Sequence, residues 1–305
     1  MGQLLTLSIK NLAWSMGFEY HFRCLLIIFH ICYGCVVWSQ ASELGIGLGR
    51  SVYYGDLNSG FYFDKFLHNG GMSFQTYGKI VFEERWGLKM NILYGRVKGD
   101  DAFSSSLWQR MRNLSFFSDI LEFSVCAEYY LFRYNPALTK YQVIPYVSAG
   151  IGAFYFNPKA YYNGTAYALR KLGTEGQGLV GYPDYYGNIA VSFPFGGGLL
   201  FKLTDVLNLG LEVQLRYTTT DYLDDVSTFY VSTDLFIQNN RPLTAILADR
   251  TPEYLNGPFS RPNGSQRGGQ RSNDFFAGFF INVSYGLSDG RKLTNTSFLR
   301  KNSNL

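Results

Sequence analysis

The sequence predicts an all-β fold: a transmembrane, antiparallel, up-and-down β-barrel of eight strands with long external loops. Three observations predict it. Segments that alternate apolar and polar residues recur at membrane-spanning length. The connections between them alternate short and long. The composition is rich in Tyr (24), Phe (26) and Gly (33), while charged residues make up 16%, where about a quarter is usual. Such a mixture suits a barrel with aromatic girdles and closely packed strands. The formal charge of +4 over 305 residues gives no nucleic-acid signal.

Residues 1–40 read as a secretory signal. Arg23 is a basic flank, residues 24–38 are apolar apart from His30, and Ser39-Gln40-Ala41 offers a small-residue cleavage site. A start at Met16 would leave a signal of about 25 residues. The apolar run is shorter than the roughly 20 residues that a membrane helix needs. A lipoprotein reading through Cys35 lacks the usual Leu three residues earlier, where Cys32 stands. Cys24, Cys32 and Cys35 all fall in this segment, so Cys126 alone remains after its removal. An exported chain with no apolar helix crosses a membrane as a closed barrel. The organisation is then a signal at 1–40, a barrel at 41–287 in the bacterial outer membrane, and a polar periplasmic tail at 288–305.

Side chains alternate across a strand, so each segment divides into a lipid face and a lumen face. In the first strand (43–54) Leu44, Ile46, Leu48 and Val52 face out and glycines face in. The second (71–82) puts Met72, Phe74, Ile80 and Phe82 out, with Gln75, Tyr77 and Lys79 in. The third (86–98) sets Trp86, Leu88, Met90, Ile92 and Tyr94 on lipid, against Lys89 and Asn91. The fourth (118–134) opposes Leu121, Phe123 and Val125 to Glu122, Ser124 and Glu128. The fifth (144–156) carries Val147, Ala149 and Ile151 outside. The sixth (188–203) contains Pro194 and Gly196-Gly197-Gly198, which predict a kink or bulge. The seventh (207–219) alternates most cleanly, with Leu209, Leu211 and Val213 against Glu212, Gln214 and Arg216. The eighth (274–287) has Phe279, Ile281 and Val283 outward. Each approaches the 9–11 residues that span a bilayer. Connections near 83, 135 and 204 are short, and those after 54, 98, 156 and 219 are long. Outer-membrane barrels keep short turns in the periplasm and long loops outside.

An eight-stranded barrel is filled by its own side chains. Lys79, Lys89, Glu122, Glu128, Glu212 and Arg216 should therefore pair in the lumen, because a buried unpaired charge is costly. A proton or ion path is the functional rival. The middle of the longest loop, rich in Pro, Gly, Arg and Asn, predicts a mobile segment. Catalytic residues are not expected. His21 and His30 lie in the signal, which leaves His68 in a loop, where a Ser-His-Asp site of a lipid hydrolase would need it. The acidic group Asp221, Asp224, Asp225 could offer oxygens to calcium but lacks the spacing of a calcium loop; the plain alternative is a solvated loop whose Asp side chains cap backbone amides. No metal or other cofactor is implied, and outer-membrane lipid is the implied surrounding.

Several stretches carry a resemblance. ELGIGLGRSVYYGDLN at 43–58, Pro145-Tyr146 leading into GIGAFYFNPKA, LGTEGQG at 172–178 and TDYLDDVSTFY at 220–230 come in that order. Together they resemble PorG-like outer-membrane barrels over nearly all of the mature chain. The specific pieces are Gly173, Thr174, Glu175, Gly176, Gln177 and Gly178, then Thr220, Asp221, Tyr222, Asp224, Asp225 and Ser227. The resemblance implies a non-enzymatic component of the type IX protein-secretion system, anchoring or assembling periplasmic PorK–PorN-like ring proteins. A stand-alone barrel for transport or adhesion is the alternative, and a lipid-hydrolase barrel a further one.

Overall fold

The computed structural model describes residues 41–57, 70–134, 143–269 and 272–287. Residues 1–40, read as a signal, the tail after 287, His68 and residues 135–142 lie outside the described residues. Ten strands form one antiparallel sheet, and eight of them close into a barrel. These are β1 (Ala41–Tyr54), β2 (Gly70–Phe82), β3 (Trp86–Asp100), β4 (Ser115–Tyr130), β5 (Val143–Tyr155), β8 (Ile189–Lys202), β9 (Leu207–Thr218) and β10 (Phe275–Gly286). Closure is made by β1 against β10, from Glu43 opposite Gly286 to Tyr54 opposite Phe275. The eight barrel strands then leave no edge to face lipid unpaired.

The pleat sorts side chains by parity. Along β1, Leu44, Ile46 and Leu48 are 55–61% exposed, while Glu43 and Ser51 are buried. The same outward exposure holds for Ile92, Phe123, Ile151, Val213 and Ile281. Burying one such side chain is worth about 1.5–3 kcal/mol. A belt of them on every barrel strand is incompatible with water and fits hydrocarbon. Among the described residues no helix is long and apolar enough to cross a membrane.

The sixth predicted strand carries its irregularity without a shift. β8 keeps one register with β5 on either side of an unpaired step at Phe193–Pro194, from Val143–Phe201 to Tyr155–Ile189, and with β9 throughout. There is no bulge at Pro194. The glycines serve close approach instead: a Cβ on Gly197 would lie 2.3 Å from the Tyr146 carbonyl oxygen, and one on Gly196 2.1 Å from that of Val213.

The loops at one end are folded as well. After β5, the chain makes a hairpin of β6 (Pro158–Tyr162) and β7 (Thr165–Ala168) that continues the sheet beside β4. Asn163 and Gly164 turn it, both with positive φ, as a two-residue hairpin requires. Short helices follow the same rim: α1 (Leu107–Arg112), α2 (Leu169–Leu172), α3 (Thr233–Gln238), α4 (Pro242–Ala248) and α5 (Thr251–Leu255). The middle of the 220–273 loop, read from its composition as mobile, carries three of these helices. Pro242 and Pro252 occupy the first turn of α4 and α5, where a missing N–H costs nothing. Phe236, Ala245 and Ala248 bury a small core of their own.

Candidate functional site

The interior is built in layers. Nearest the short turns, Lys79 Nζ lies 3.4 Å from Glu43 and 3.6 Å from Glu128. Tyr134 donates to Glu43 and Tyr130 donates to Glu128 at 2.5 Å. Above them Lys89 sits 2.7 Å from Glu212, which also accepts from Asn282 at 2.7 Å. Higher still Arg216 Nε donates to Glu122 at 2.5 Å, and Ser192 donates to the same carboxylate at 2.6 Å. Over these polar layers lies an apolar plate that includes Leu93, Phe116, Ile120, Phe154, Phe276 and Phe280.

The long-loop end closes the barrel with a second polar layer. Gly173, Gly176 and Gly178 all have positive φ, which a residue without Cβ adopts freely. Their turns deliver Thr174, Glu175 and Gln177 into the mouth, where all three are buried. Glu175 accepts from the backbone N–H of Ser227 (2.9 Å) and of Thr228 (3.0 Å), and from the Thr228 hydroxyl (2.6 Å). Arg267 donates to Glu175 at 3.0 Å and to the Asp225 carbonyl at 2.6 Å. Asp225 accepts from Thr174 and, at 2.6 Å, from Tyr186. Tyr222 stacks on the Tyr186 ring at 4.4 Å. Thr220 holds the exit of β9, its carbonyl accepting from Asp274 N–H at 3.0 Å. Asp221 accepts from Ser227 at 2.7 Å.

Two further knots tie this cap to the strands. Tyr53 of β1 donates to Asp224 at 2.5 Å and reaches Asp274 at 3.0 Å. Arg112 makes a bidentate pair with Asp101, at 2.7 and 2.8 Å, and donates to the Arg267 carbonyl at 2.7 Å. Such forked pairs fix orientation as well as charge. Leu223 and Val226, on either side of Asp224 and Asp225, join the apolar plate below.

The cap is crowded with carboxyl groups around two buried guanidinium groups. Burial, helped by Asp56, pushes the Asp224 carboxyl well above its ordinary range. Asp274 is raised by burial and then by Asp224. Burial takes Asp225 up to about 6 despite Arg267, and Asp221 up to about 7. Desolvation penalises the charged form, which is the common cause. Among the described residues no group of three or more His, Cys, Asp or Glu is arranged to hold a metal ion.

The structure thus brings Gly173–Gly178 and Thr220–Ser227, far apart in sequence, into one interlocked cap. It sets Lys79, Lys89, Glu122, Glu128, Glu212 and Arg216 in the lumen as separate layers rather than one chain of contacts. Of the plain alternative, the capping holds, since Val226 N–H donates to Asp224 at 2.9 Å, but the solvation does not, since Asp224 and Asp225 are 1% and 0% exposed. Sequence reasoning missed Glu43, Tyr53, Asp101, Arg112, Arg267 and Asp274. Glu43 was legible from its parity with Gly45 and Gly47; the loop arginines carry no periodic signal.

A closed barrel that is apolar outside, ion-paired inside and capped by its own loops is an outer-membrane β-barrel. The chain belongs to the family described as domain of unknown function DUF6089, which matches residues 22–229. The match takes in both cap motifs and stops short of Arg267 and β10. No curated protein matches the sequence. Solved structures similar to this chain include Ail, the attachment invasion locus protein of Yersinia pestis, in complex with the heparin analogue sucrose octasulfate. The identity is 12% over 81% of this chain and 98% of that one, with a TM-score of 0.37. Neisserial surface protein A is similar at 9% identity, 80% and 96% coverage and a TM-score of 0.39. The N-terminal β-barrel domain of Pseudomonas aeruginosa OprF is similar at 10%, with 81% and 100% coverage and a TM-score of 0.33. Likeness at this level says nothing of activity or partner.

Proposed function

We propose that this chain is a non-enzymatic, stand-alone barrel whose work is done by the loop-built face, as an adhesion-type binding surface outside the cell rather than a pore. The observation that carries this reading is the filled interior. Lys89–Glu212 and Arg216–Glu122 cross the lumen, and the apolar plate and the cap lie above them. Width rather than charge decides conduction in a barrel of this size. The buried cap carboxylates are engaged by Arg267, Tyr53, Tyr186 and backbone amides, out of reach of a substrate. In planar bilayers the purified protein should show no steady conductance; a steady current that scales with salt would move the function to transport. Protease added to intact cells should cut within 219–274 and spare 131–142; the reverse pattern would put the loop face in the periplasm. Cells carrying the protein should also be retained on a host-matrix surface better than cells without it.

A second reading is supported by the motif resemblance. The pieces that resemble PorG-like barrels, GTEGQG and TDYLDDVS, are the ones that interlock in the cap. On this reading the short-turn end and the tail after 287 dock PorK–PorN-like ring proteins of the type IX machine. Deleting the gene and assaying secreted proteins separates the two: lost secretion together with co-purified ring proteins supports export, and normal secretion supports the stand-alone barrel.

A further inference from the structure

The outer wall over β1–β4 departs from a plain lipid belt in two adjoining places. At the long-loop rim a cavity of about 670 Å³ is lined by Arg50, Met72, Tyr94, Arg96, Lys98 and Phe117, among others. Below it a groove of about 360 Å³ is lined chiefly by Leu44, Thr76, Gly78, Met90, Ile92 and Phe123. Tyr94 lines the first and Ile92 the second. They are two residues apart on the same face of β3, and the outward Phe74 of β2, paired with Tyr94, stands between the upper cavity and the lower groove.

The rim is cationic and its cations are held in place. Arg96 donates to Asp119 at 2.7 Å and lies 4.8 Å over the Phe117 ring. Lys159 reaches the same Asp119 at 3.3 Å. Phe117 stacks on Tyr161 at 5.0 Å. Arg50 Nη2 donates to the Gly70 carbonyl at 2.5 Å. Asp100, the other carboxylate at the rim, caps the Ala102 amide. Arg50, Arg96, Lys98 and Lys159 outnumber Asp100 and Asp119, so the rim is net positive.

The groove below exists because β2 presents small residues outward. A Cβ on Gly78 would meet only Leu44 Cδ2, at 3.7 Å. From Lys98 to Met90 the wall runs about 26 Å at roughly 3.3 Å per residue. With a tilt of about 40° that is about 20 Å of depth, enough for a headgroup and one leaflet of a roughly 30 Å hydrocarbon core.

We propose that this wall is a docking site for one outer-leaflet lipid with a net-anionic phosphate headgroup. The phosphate sits at Arg96 and Lys98 with Arg50 beside them, and an acyl chain lies in the groove over Thr76 and Gly78. Free phosphate would use only the rim and leave the apolar groove beyond Phe74 unfilled. The outer-leaflet assignment rests on the loop face lying outside the cell, and the site stands whichever partner that face or the short turns engage.

Native mass spectrometry of the full-length protein in mild detergent tests it. Phosphatidylglycerol is added as the probe, with phosphatidylcholine of the same acyl chains as control. One phosphatidylglycerol should be retained in preference to phosphatidylcholine. Arg96→Gln with Lys98→Gln should weaken retention about tenfold or more, from the loss of two interfacial cations. Gly78→Phe, which fills the groove without touching the rim, should also weaken it. Each variant is checked for the heat-modifiable band of a folded barrel; Lys98→Gln alone replaces the double variant if that one fails to fold. Equal retention of the zwitterionic lipid overturns the headgroup assignment. Unchanged retention in the rim variant or in Gly78→Phe, or full displacement by inorganic phosphate, overturns the site.

Discussion

Arg267 holds the cap together from its centre. It is 1% exposed and touches both motif loops, through Glu175 and the Asp225 carbonyl. Removing one partner of a buried pair typically costs about 3–5 kcal/mol, because the other charge is left unpaired. Arg267→Gln should loosen the cap and leave the barrel closed. Limited proteolysis should then cut within 220–269 at lower protease concentrations, with the heat-modifiable band unchanged. The lumen follows the same rule. Lys89→Met strands Glu212 and should lower the midpoint of thermal unfolding, whereas Lys89→Met with Glu212→Leu should recover most of that loss. The cap also has a pH dependence of definite sign. Asp221 and Asp225 bind protons more tightly in the closed cap, at about 7 and about 6, than in an opened segment, where an Asp titrates near about 4. Their contribution is full below that lower value and is lost as pH rises through 6 to 7. Hydrogen exchange at Val226, Ser227 and Thr228, corrected for the intrinsic base-catalysed rate, should accelerate over that window. Asp225→Asn should flatten the response.

At the scale of elements, the strands were legible because a period of two, repeated at membrane length, fits few folds besides a membrane barrel. What the alternation could not show was order inside the loops. Asn163-Gly164 is a hairpin signal, yet its flanking strands are too short for their alternation to stand out. Arg241-Pro242 and Thr251-Pro252 mark helix starts, yet Pro, Gly and Asn in the same stretch read as mobility. Pro194 and the three glycines were legible as special but not as to how. A bulge and a close approach of neighbouring strands use the same residues, and the register separates them. The two kinds of glycine make opposite predictions. Gly197→Val would drive a Cβ to within 2.3 Å of the Tyr146 carbonyl and should abolish the folded, heat-modifiable form. Gly164→Ala meets nothing within 4 Å and strains only its own positive φ; it should cost about 1 kcal/mol, confined to the β6–β7 hairpin, seen as faster exchange at Tyr161 and Tyr162 amides.

At the scale of the whole molecule, the barrel is sealed twice, by lumen ion pairs and by the loop cap. Replacing residues 221–273 with a short Gly-Ser linker spares the pairing of β9 and β1 with β10. The truncated protein should still fold and still show no steady conductance, while its uncovered apolar plate binds an environment-sensitive dye. A conducting barrel would show that the cap, and not the lumen layers, is the seal. Alternation along the chain is enough to predict the barrel, its eight strands, its lipid belt and the inward side of six of the lumen charges. Those follow from alternation, which is a local property of each strand. The pairing of those charges, the joining of GTEGQG and TDYLDDVS in one buried cap around Arg267 and Arg112, and the cationic rim above an apolar groove appear only in the folded chain. Those depend on which strands lie side by side after closure and on contacts between loops distant in the chain, and no local periodicity encodes either.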